Sequence, residues 1–173
     1  MSELADYTAV EHLRDGRPIE IRALRRDDGP GMLAAVGRTS TQSLQRRFFT
    51  PKKGFSEQEL AFFLNIDFEN HVALVAETAE DDHPVIVGGG RYVVVQPGQA
   101  EIAFVVIDAY QAQGIGTILM RHLGQLARDA GLKELIAEVL PENTAMLKVL
   151  RKFGFQPGSQ RTSQVAHLRL NLA

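Results

Sequence analysis

The stretch Gln111-Ala112-Gln113-Gly114-Ile115-Gly116 lies between an apolar run, residues 102–107, and a helix-like segment, residues 117–130. A strand, a loop with two glycines and a helix in this order bring several backbone N–H groups, which have no partner inside the helix, to one point. The helix dipole adds roughly half a positive charge there, and a glycine lets the backbone approach a ligand closely. The stretch therefore predicts a binding site for a diphosphate.

Two glycines before a helix can also form only a tight strand-to-helix turn, and the pattern alone leaves this interpretation open. Two familiar phosphate sites are excluded by spacing. No glycine stands three residues after Gly116, as a dinucleotide-binding fingerprint requires, and no Gly-Lys-Ser/Thr of a nucleotide P-loop is present. What remains is a phosphate-binding loop of another kind.

The composition is that of a globular protein, and we predict one domain over residues 1–173, with an N-terminal segment, residues 1–17, of uncertain structure. A formal net charge of −2 argues against nucleic acid as a partner. No apolar run reaches the roughly 18 residues that cross a bilayer, and no signal peptide is recognisable, so we expect no membrane association and a cytoplasmic location. The absence of cysteine excludes a thiol nucleophile, and the five histidines lack metal-ligand spacing, so no metal is expected.

Hydrophobic periodicity predicts a mixed α/β fold. Strands are predicted at residues 18–24, 71–77, 85–95, 101–107, 133–140 and 165–170, and helices at residues 32–36, 41–49, from Ser56 onward, at 114–130, and from Asn143 to Gly154. Short links predict an antiparallel meander for strands two to four. The following helix predicts parallel pairing of the next strand with residues 101–107. Three glycines, Gly88-Gly89-Gly90, predict either a bulge or a group that packs close to the strand.

Motif and element order together resemble one superfamily. With Gln111-x-x-Gly114-x-Gly116, the preceding apolar strand, and Pro141-Glu142-Asn143 before a helix that ends at Gly154-Phe155, the chain resembles the GCN5-related N-acetyltransferase (GNAT) superfamily over about residues 19–170. More narrowly, Arg46-Arg47-Phe48-Phe49, residues 100–104 and residues 138–143 look like the acetyltransferase domain of bacterial protein lysine acetyltransferases. The resemblance implies a GNAT fold, whose mostly antiparallel sheet is flanked by helices and splays between strands four and five, here the strands that end at Ile107 and Leu140.

The resemblance also implies that the cofactor is acetyl-CoA, the acyl donor. The residues implied in its binding are Phe104, Val105 and Val106 for the pantetheine arm, Gln111, Ala112, Gln113, Gly114, Ile115, Gly116 and Thr117 for the motif that holds the diphosphate, and Asn143 for the part beyond the diphosphate. In the family, the pantetheine arm lies in the gap between the splayed strands and bonds to the strand edge.

Attack by a lysine amine needs a proton acceptor, because holding the amine neutral at pH 7 costs about 4.6 kcal/mol against a reference pKa of about 10.4. Glu101 stands at the head of the central apolar strand, where partial burial would suit a general base. On pattern alone it can also be an exposed strand-end glutamate, whereas in the resembled family a glutamate at this place takes the proton. The backbone N–H of Val106 is the candidate donor to the oxyanion.

Many relatives use a tyrosine of the last helix to protonate the leaving thiolate, and this chain has Leu150 at that position. The other candidates for this role, Tyr92 and Tyr110, also suit packing in the core. A thiolate with a pKa of about 8.5 can leave with help from water, so this difference leaves the general acid unassigned.

The sequence therefore predicts a bacterial, acetyl-CoA-dependent N-acetyltransferase of class EC 2.3.1 that acts by direct attack of a primary amine. A protein lysine is the preferred acceptor, a small-molecule amine stays open, and residues 38–69 would form the acceptor walls in either case. A CoA-binding module without turnover is the alternative from another class, supported by Leu150. We expect acetyl-CoA and the amine as partners, and a monomer or homodimer.

Overall fold

The computed structural model describes residues 6–31, 66–111, 113–139, 144–157 and 166–172. The strands are β1 (Thr8–His12), β2 (Pro18–Ala23), β3 (His71–Glu80), β4 (His83–Gln96), β5 (Gln99–Val106), β6 (Glu134–Val139), β7 (Gln156–Pro157) and β8 (Ala166–Asn171). The helices are α1 (Ile115–Asp129) and α2 (Thr144–Lys152), with short 3₁₀ turns at Arg26–Asp28 and Asp108–Tyr110. Within the described residues the eight strands form one sheet in the order β1-β2-β3-β4-β5-β6-β8-β7.

The sheet is antiparallel except at one pair of strands, which confirms the predicted topology. Strands β3, β4 and β5 form the meander. Strands β5 and β6 are parallel, but they pair only from Gln99 opposite Glu134 to Glu101 opposite Ile136. Beyond that point β5 continues to Val106 and β6 to Val139 without pairing to each other. The two strands therefore splay apart just after Glu101, as expected.

Helix α1 covers one face of the sheet through its apolar side. Ile115, Leu119 and Leu123 are fully buried in the main core, and burial of each such side chain contributes about 1.5–3 kcal/mol. The helix ends before Gly131, whose φ of +81° suits a glycine. The helix predicted at residues 114–130 is confirmed.

Both predicted explanations of the glycine run hold. The register of β3 and β4 shifts between Ala76 and Glu77, so β4 carries a bulge at this place. A Cβ on Gly90 would lie 2.6 Å from Cδ1 of Phe104 and 2.8 Å from Cδ1 of Leu123. Glycine is therefore required where α1 and β5 approach β4.

The N-terminal segment contains a strand that the sequence pattern did not reveal. Strand β1 pairs antiparallel with β2 from Thr8 opposite Arg22 to His12 opposite Pro18. As an edge strand it has no fully buried side chain, and Val10 is 66% exposed. Because neither face of β1 enters the core, its sequence lacks the apolar alternation that marks a half-buried strand.

Three predicted helices, at residues 32–36, 41–49 and from Ser56, lie outside the described residues, as do most of the proposed acceptor walls. Among the described residues, no helix is long and apolar enough to cross a membrane. In the same part of the chain, no group of three or more His, Asp or Glu side chains could hold a metal ion.

Candidate active site

A cleft of about 400 Å³ opens where β5 and β6 separate. Its walls come from β5, the N-terminal turn of α1, the end of β6 and helix α2. The residues that line it are Arg14, Ile102, Ala103, Phe104, Val105, Val106, Tyr110, Gln111, Gly114, Ile115, Gly116, Thr117, Ala137, Glu138, Val139, Ala145, Met146, Lys148, Val149 and Leu150. Eight of the predicted cofactor-binding residues are in this set, so the fold brings the motif and the strand edge together.

Alternate residues of β5 direct their backbone N–H and C=O groups to β4, and the residues between them direct these groups to the cleft. The N–H of Ile107 donates to the carbonyl of Val87 at 2.9 Å, and Val105 lies opposite Gly89 two positions along the same ladder. Because bonded and non-bonded pairs alternate in an antiparallel ladder, Val105 exchanges bonds with β4, whereas Phe104 and Val106 point their N–H and C=O groups away from it. The cleft is therefore edged by the backbone of Phe104 and Val106, and Val105 contributes its side chain.

Gln111, the first residue of the motif, supports this edge. Its Nε2 donates to the carbonyl of Val106 at 3.0 Å. The carbonyl of Gln113 accepts the N–H of Arg14 at 3.3 Å, and Gln113 is not among the lining residues. At Gln111 and Gln113 the motif therefore forms hydrogen bonds with neighbouring parts of the chain. Ala112 and Asn143, two further predicted cofactor contacts, lie outside the described residues.

The start of α1 has the geometry of an anion site. Gly114 adopts a φ of +94° as the residue before the helix, and the first hydrogen bond that closes the helix runs from the N–H of Ile118 to its carbonyl at 3.0 Å. The N–H groups of Ile115, Gly116 and Thr117 precede that bond, so they have no acceptor within the helix. A Cβ on Gly116 would meet nothing within 4 Å, so the backbone lies open to the cleft there.

Two cationic side chains that the sequence did not point to also line the cleft. Arg14 comes from the turn between β1 and β2, and Lys148 comes from α2. No sequence signal marked Arg14, because it lies in the segment without a firm pattern.

Glu101 is placed differently from the expectation. It is exposed, so the predicted partial burial is wrong. Its neighbours Ala100 and Ile102 are buried, and since side chains alternate along a strand, Glu101 lies on the opposite face of the sheet. It stands at the last paired position of β5 and β6, at the apex of the splay, next to the lining residue Ile102.

A second carboxylate lines the cleft directly. Glu138 on β6 is exposed, and its Oε1 lies 3.5 Å from Nδ1 of His167 on β8. It is two residues after Ile136, the partner of Glu101, so both carboxylates belong to the same face of the sheet. The alternation of β6 could have indicated this position once the pairing was known.

The tyrosines are not aimed at the cleft as general acids. Tyr110 lines it, but its hydroxyl donates to the carboxylate of Glu80 at 2.5 Å, and burial together with this hydrogen bond raises the pKa of Tyr110. Tyr92 is fully buried in the core, and burial raises the pKa of Tyr92 to about 12. Its hydroxyl has no hydrogen-bond partner in the described part of the chain. Leu150, at the position of the usual tyrosine, is buried and lines the cleft.

Comparison with known proteins identifies the family. Residues 39–155 match the model of the Acetyltransferase (GNAT) family. Acetyltransferase PA5475 of Pseudomonas aeruginosa is 34% identical over 161 residues, which span 91% of this chain and 87% of that protein. The crystal structure of the GNAT domain of S. lividans PAT superposes with a TM-score of 0.87 at 29% identity, over 95% of this chain and 96% of that one. The structure of yncA from Salmonella typhimurium, which contains acetyl-CoA, shares the fold with a TM-score of 0.70 at 18% identity, over 90% and 94% of the two chains. The chain therefore belongs to the GNAT family of acetyltransferases.

Proposed function

We propose that this protein transfers the acetyl group of acetyl-CoA to a primary amine by direct attack, and that the amine is a protein lysine. The observation that carries the proposal is the cleft between β5 and β6. At one end the edge of β5 offers the backbone groups of Phe104 and Val106, and at the other the first turn of α1 offers the N–H groups of Ile115, Gly116 and Thr117.

The cleft fits the two chemical parts of CoA. An extended pantetheine arm carries amides that can pair with a strand edge, as a further strand would. A diphosphate suits the N-terminal turn of α1, since the N–H groups and the dipole both favour an anion. Bound acetyl-CoA supplies an activated acetyl group as a thioester, and the chain orients it.

The chain's own groups provide for the incoming amine. Glu101 is the proposed base, because it lies at the apex of the splay and on the same face of the sheet as Glu138, which lines the cleft. The N–H of Val106, which points into the cleft, is the proposed donor to the developing oxyanion. Since the chain has no cysteine, the acetyl group cannot pass through an acyl-cysteine.

The choice of a protein lysine as acceptor rests on two arguments. The first is the resemblance of three segments to protein lysine acetyltransferase domains. The second is the exposure of Glu138 at the cleft and of Glu101 on the same face next to it, because an exposed pair of carboxylates can be reached by a cationic side chain on the surface of another protein. A small-molecule amine is the alternative acceptor.

Two measurements test the proposal. Purified protein with acetyl-CoA and a cell lysate should yield acetylated lysines by mass spectrometry, whereas release of CoA thiol with a panel of free amines should stay near background. Strong turnover of one small amine without protein acetylation would contradict the choice of acceptor. Stabilisation by CoA in a thermal shift assay, without thiol release for any acceptor, would support the non-catalytic CoA-binding module, for which Leu150 is the supporting feature.

A further inference from the structure

The turn between β1 and β2, residues 13–17, packs against the phosphate-binding loop. The turn is closed by the N–H of Leu13 to the carbonyl of Arg17 and by the N–H of Gly16 to the carbonyl of Leu13, both at 2.9 Å. Its backbone reaches the loop through the N–H of Arg14, which donates to the carbonyl of Gln113 at 3.3 Å. The N-terminal hairpin is therefore part of the cleft wall.

A polar cluster holds the hairpin against the outer face of α1. The carboxylate of Glu11 on β1 accepts a hydrogen bond from Arg121, and it lies 2.6 Å from Nε2 of His122. The other ring nitrogen of His122 is hydrogen-bonded to the hydroxyl of Tyr7. The hydrogen bond from Arg121 lowers the pKa of Glu11, so this carboxylate is charged at neutral pH.

A second contact holds the other side of the turn. The guanidinium of Arg17 lies 5.2 Å from the centre of the Tyr110 ring, and Asp15 holds that guanidinium at 2.8 Å. Tyr110 belongs to the segment between β5 and the loop. The turn is thus attached on one side to α1 and on the other to the end of β5, which sets the position of Arg14 between them.

Arg14 brings to the cleft a charge that the motif lacks. Its Nε lies 3.7 Å from the place where a Cβ on Gly114 would stand, and it lines the cleft. The loop Gln111-Ala112-Gln113-Gly114-Ile115-Gly116 contains no lysine or arginine, and the first basic residue of α1, Arg121, is bonded to Glu11. A diphosphate carries more negative charge than the roughly half unit of the helix dipole can balance. A guanidinium supplies planar, paired N–H donors that match phosphate oxygens.

We propose that Arg14 binds a phosphate group of CoA and that Glu11, through Arg121 and His122, is a positioning residue for it, an inference that rests on the proposed function. The hairpin of β1 and β2, which precedes the residues that match the family model, is then a cofactor-binding element. The phosphate can be in the diphosphate or on the ribose, since both present the same oxygens.

Calorimetric titration with CoA, with dephospho-CoA and with S-acetylpantetheine tests this assignment. Arg14→Gln should raise the Kd for CoA about tenfold to a hundredfold, the effect of a lost charge-assisted hydrogen bond, and should leave the Kd for S-acetylpantetheine, which has no phosphate, unchanged. Arg14→Lys should recover part of the affinity. If the penalty persists with dephospho-CoA the partner is the diphosphate, and if it disappears the partner is the ribose phosphate.

Arg128→Gln is the matched control. It removes the same charge from an exposed position in the last turn of α1, about 20 Å along the helix from Ile115, and it should change the Kd less than twofold. Glu11→Gln should raise KM for acetyl-CoA severalfold with kcat unchanged. Equal CoA affinity of Arg14→Gln and wild type, or an equal loss of CoA and S-acetylpantetheine, would overturn the assignment. If the wild-type protein binds no CoA, the proposed function itself fails. If the wild type binds CoA and Arg14→Gln binds it equally well, only the assignment of Arg14 fails.

Discussion

The two glycines of the motif lie in different backbone environments, and exchanging each for alanine should show the difference. Gly114 has a φ of +94°, in the region that L side chains avoid. Gly116 lies inside α1 without a positive φ, and a Cβ there would meet nothing within 4 Å. One substitution therefore introduces backbone strain, and the other introduces only a methyl group into open space.

The magnitudes follow from these two environments. Gly114→Ala should destabilise the protein by about 1–2 kcal/mol, the cost of a left-handed conformation for an L residue. Gly116→Ala should be neutral or stabilise it by up to about 1 kcal/mol, since alanine favours a helix over glycine. For a chain of this length each kcal/mol shifts Tm by about 2–4 °C. Gly114→Ala should therefore melt several degrees below Gly116→Ala.

Thermal unfolding and CoA titration of both variants check this reasoning. If Gly114→Ala relaxes the strain by rotating the loop, the N–H groups at the start of α1 change direction, and its Kd for CoA should rise more than that of Gly116→Ala. Equal melting temperatures for the two variants, or a greater loss for Gly116→Ala, would refute the assignment of strain to Gly114.

Three further predictions concern single side chains. Glu101→Gln should lower turnover near neutral pH by about 10²–10⁴-fold with CoA binding intact, whereas an equal or larger loss with Glu138→Gln would move the base to β6. Tyr110→Phe should keep kcat within a fewfold of wild type, and a loss above tenfold would make Tyr110 the general acid. Asp28→Asn should lower stability by about 3 kcal/mol by denaturant unfolding, because it breaks the buried pair with Arg22, at 2.8 Å; unchanged stability would refute that role.

The ion pair of Asp28 also predicts a dependence on pH. Burial alone would raise the pKa of Asp28, but the hydrogen bonds from Arg22 and from the backbone of Arg25 outweigh it and hold the pKa below its ordinary value. A carboxyl group with a lowered pKa in the folded state contributes stability above its unfolded pKa, near 3.9, and that contribution is lost as the pH falls through the folded value. When the free energy of unfolding is measured between pH 7 and pH 2, it should fall as the pH is lowered, and the fall should be smaller in Asp28→Asn than in the wild type.

The sequence correctly predicted the elements that bury at least one face in the core, because burial imposes a regular pattern of apolar residues. Helix α1 shows its apolar stripe, and β3 to β5 show apolar runs, because each packs one or both faces into the core. Strand β1 has no buried face, so periodicity could not reveal it. Arg14 became part of the cleft only through the pairing of β1 with β2 and the contacts of β1 with α1, which join residues more than 100 positions apart.

The burial of Glu101 was mispredicted for a related reason. An apolar run identifies a central strand, but the sequence does not tell which of its two faces has space for a carboxylate. The alternation of Ala100, Glu101 and Ile102 shows that Glu101 takes the face opposite α1. Its position at the apex of the splay depends on where β5 and β6 stop pairing, which is a property of the whole sheet.

The absence of a tyrosine at Leu150 weighs less against catalysis than a missing base would. At pH 7 a lysine amine with a reference pKa of about 10.4 costs about 4.6 kcal/mol to deprotonate, whereas a thiolate with a pKa of about 8.5 lies only about 2 kcal/mol above its thiol. The larger free-energy cost belongs to deprotonation of the amine, which Glu101 would assist. The smaller cost belongs to departure of the thiolate, which a tyrosine would assist. Since the hydroxyl of Tyr110 donates its hydrogen bond to Glu80 and Tyr92 is buried away from the cleft, the leaving thiolate would take its proton from water. A chain that keeps the carboxylate and lacks the tyrosine therefore fits an acetyltransferase better than a module that only binds CoA.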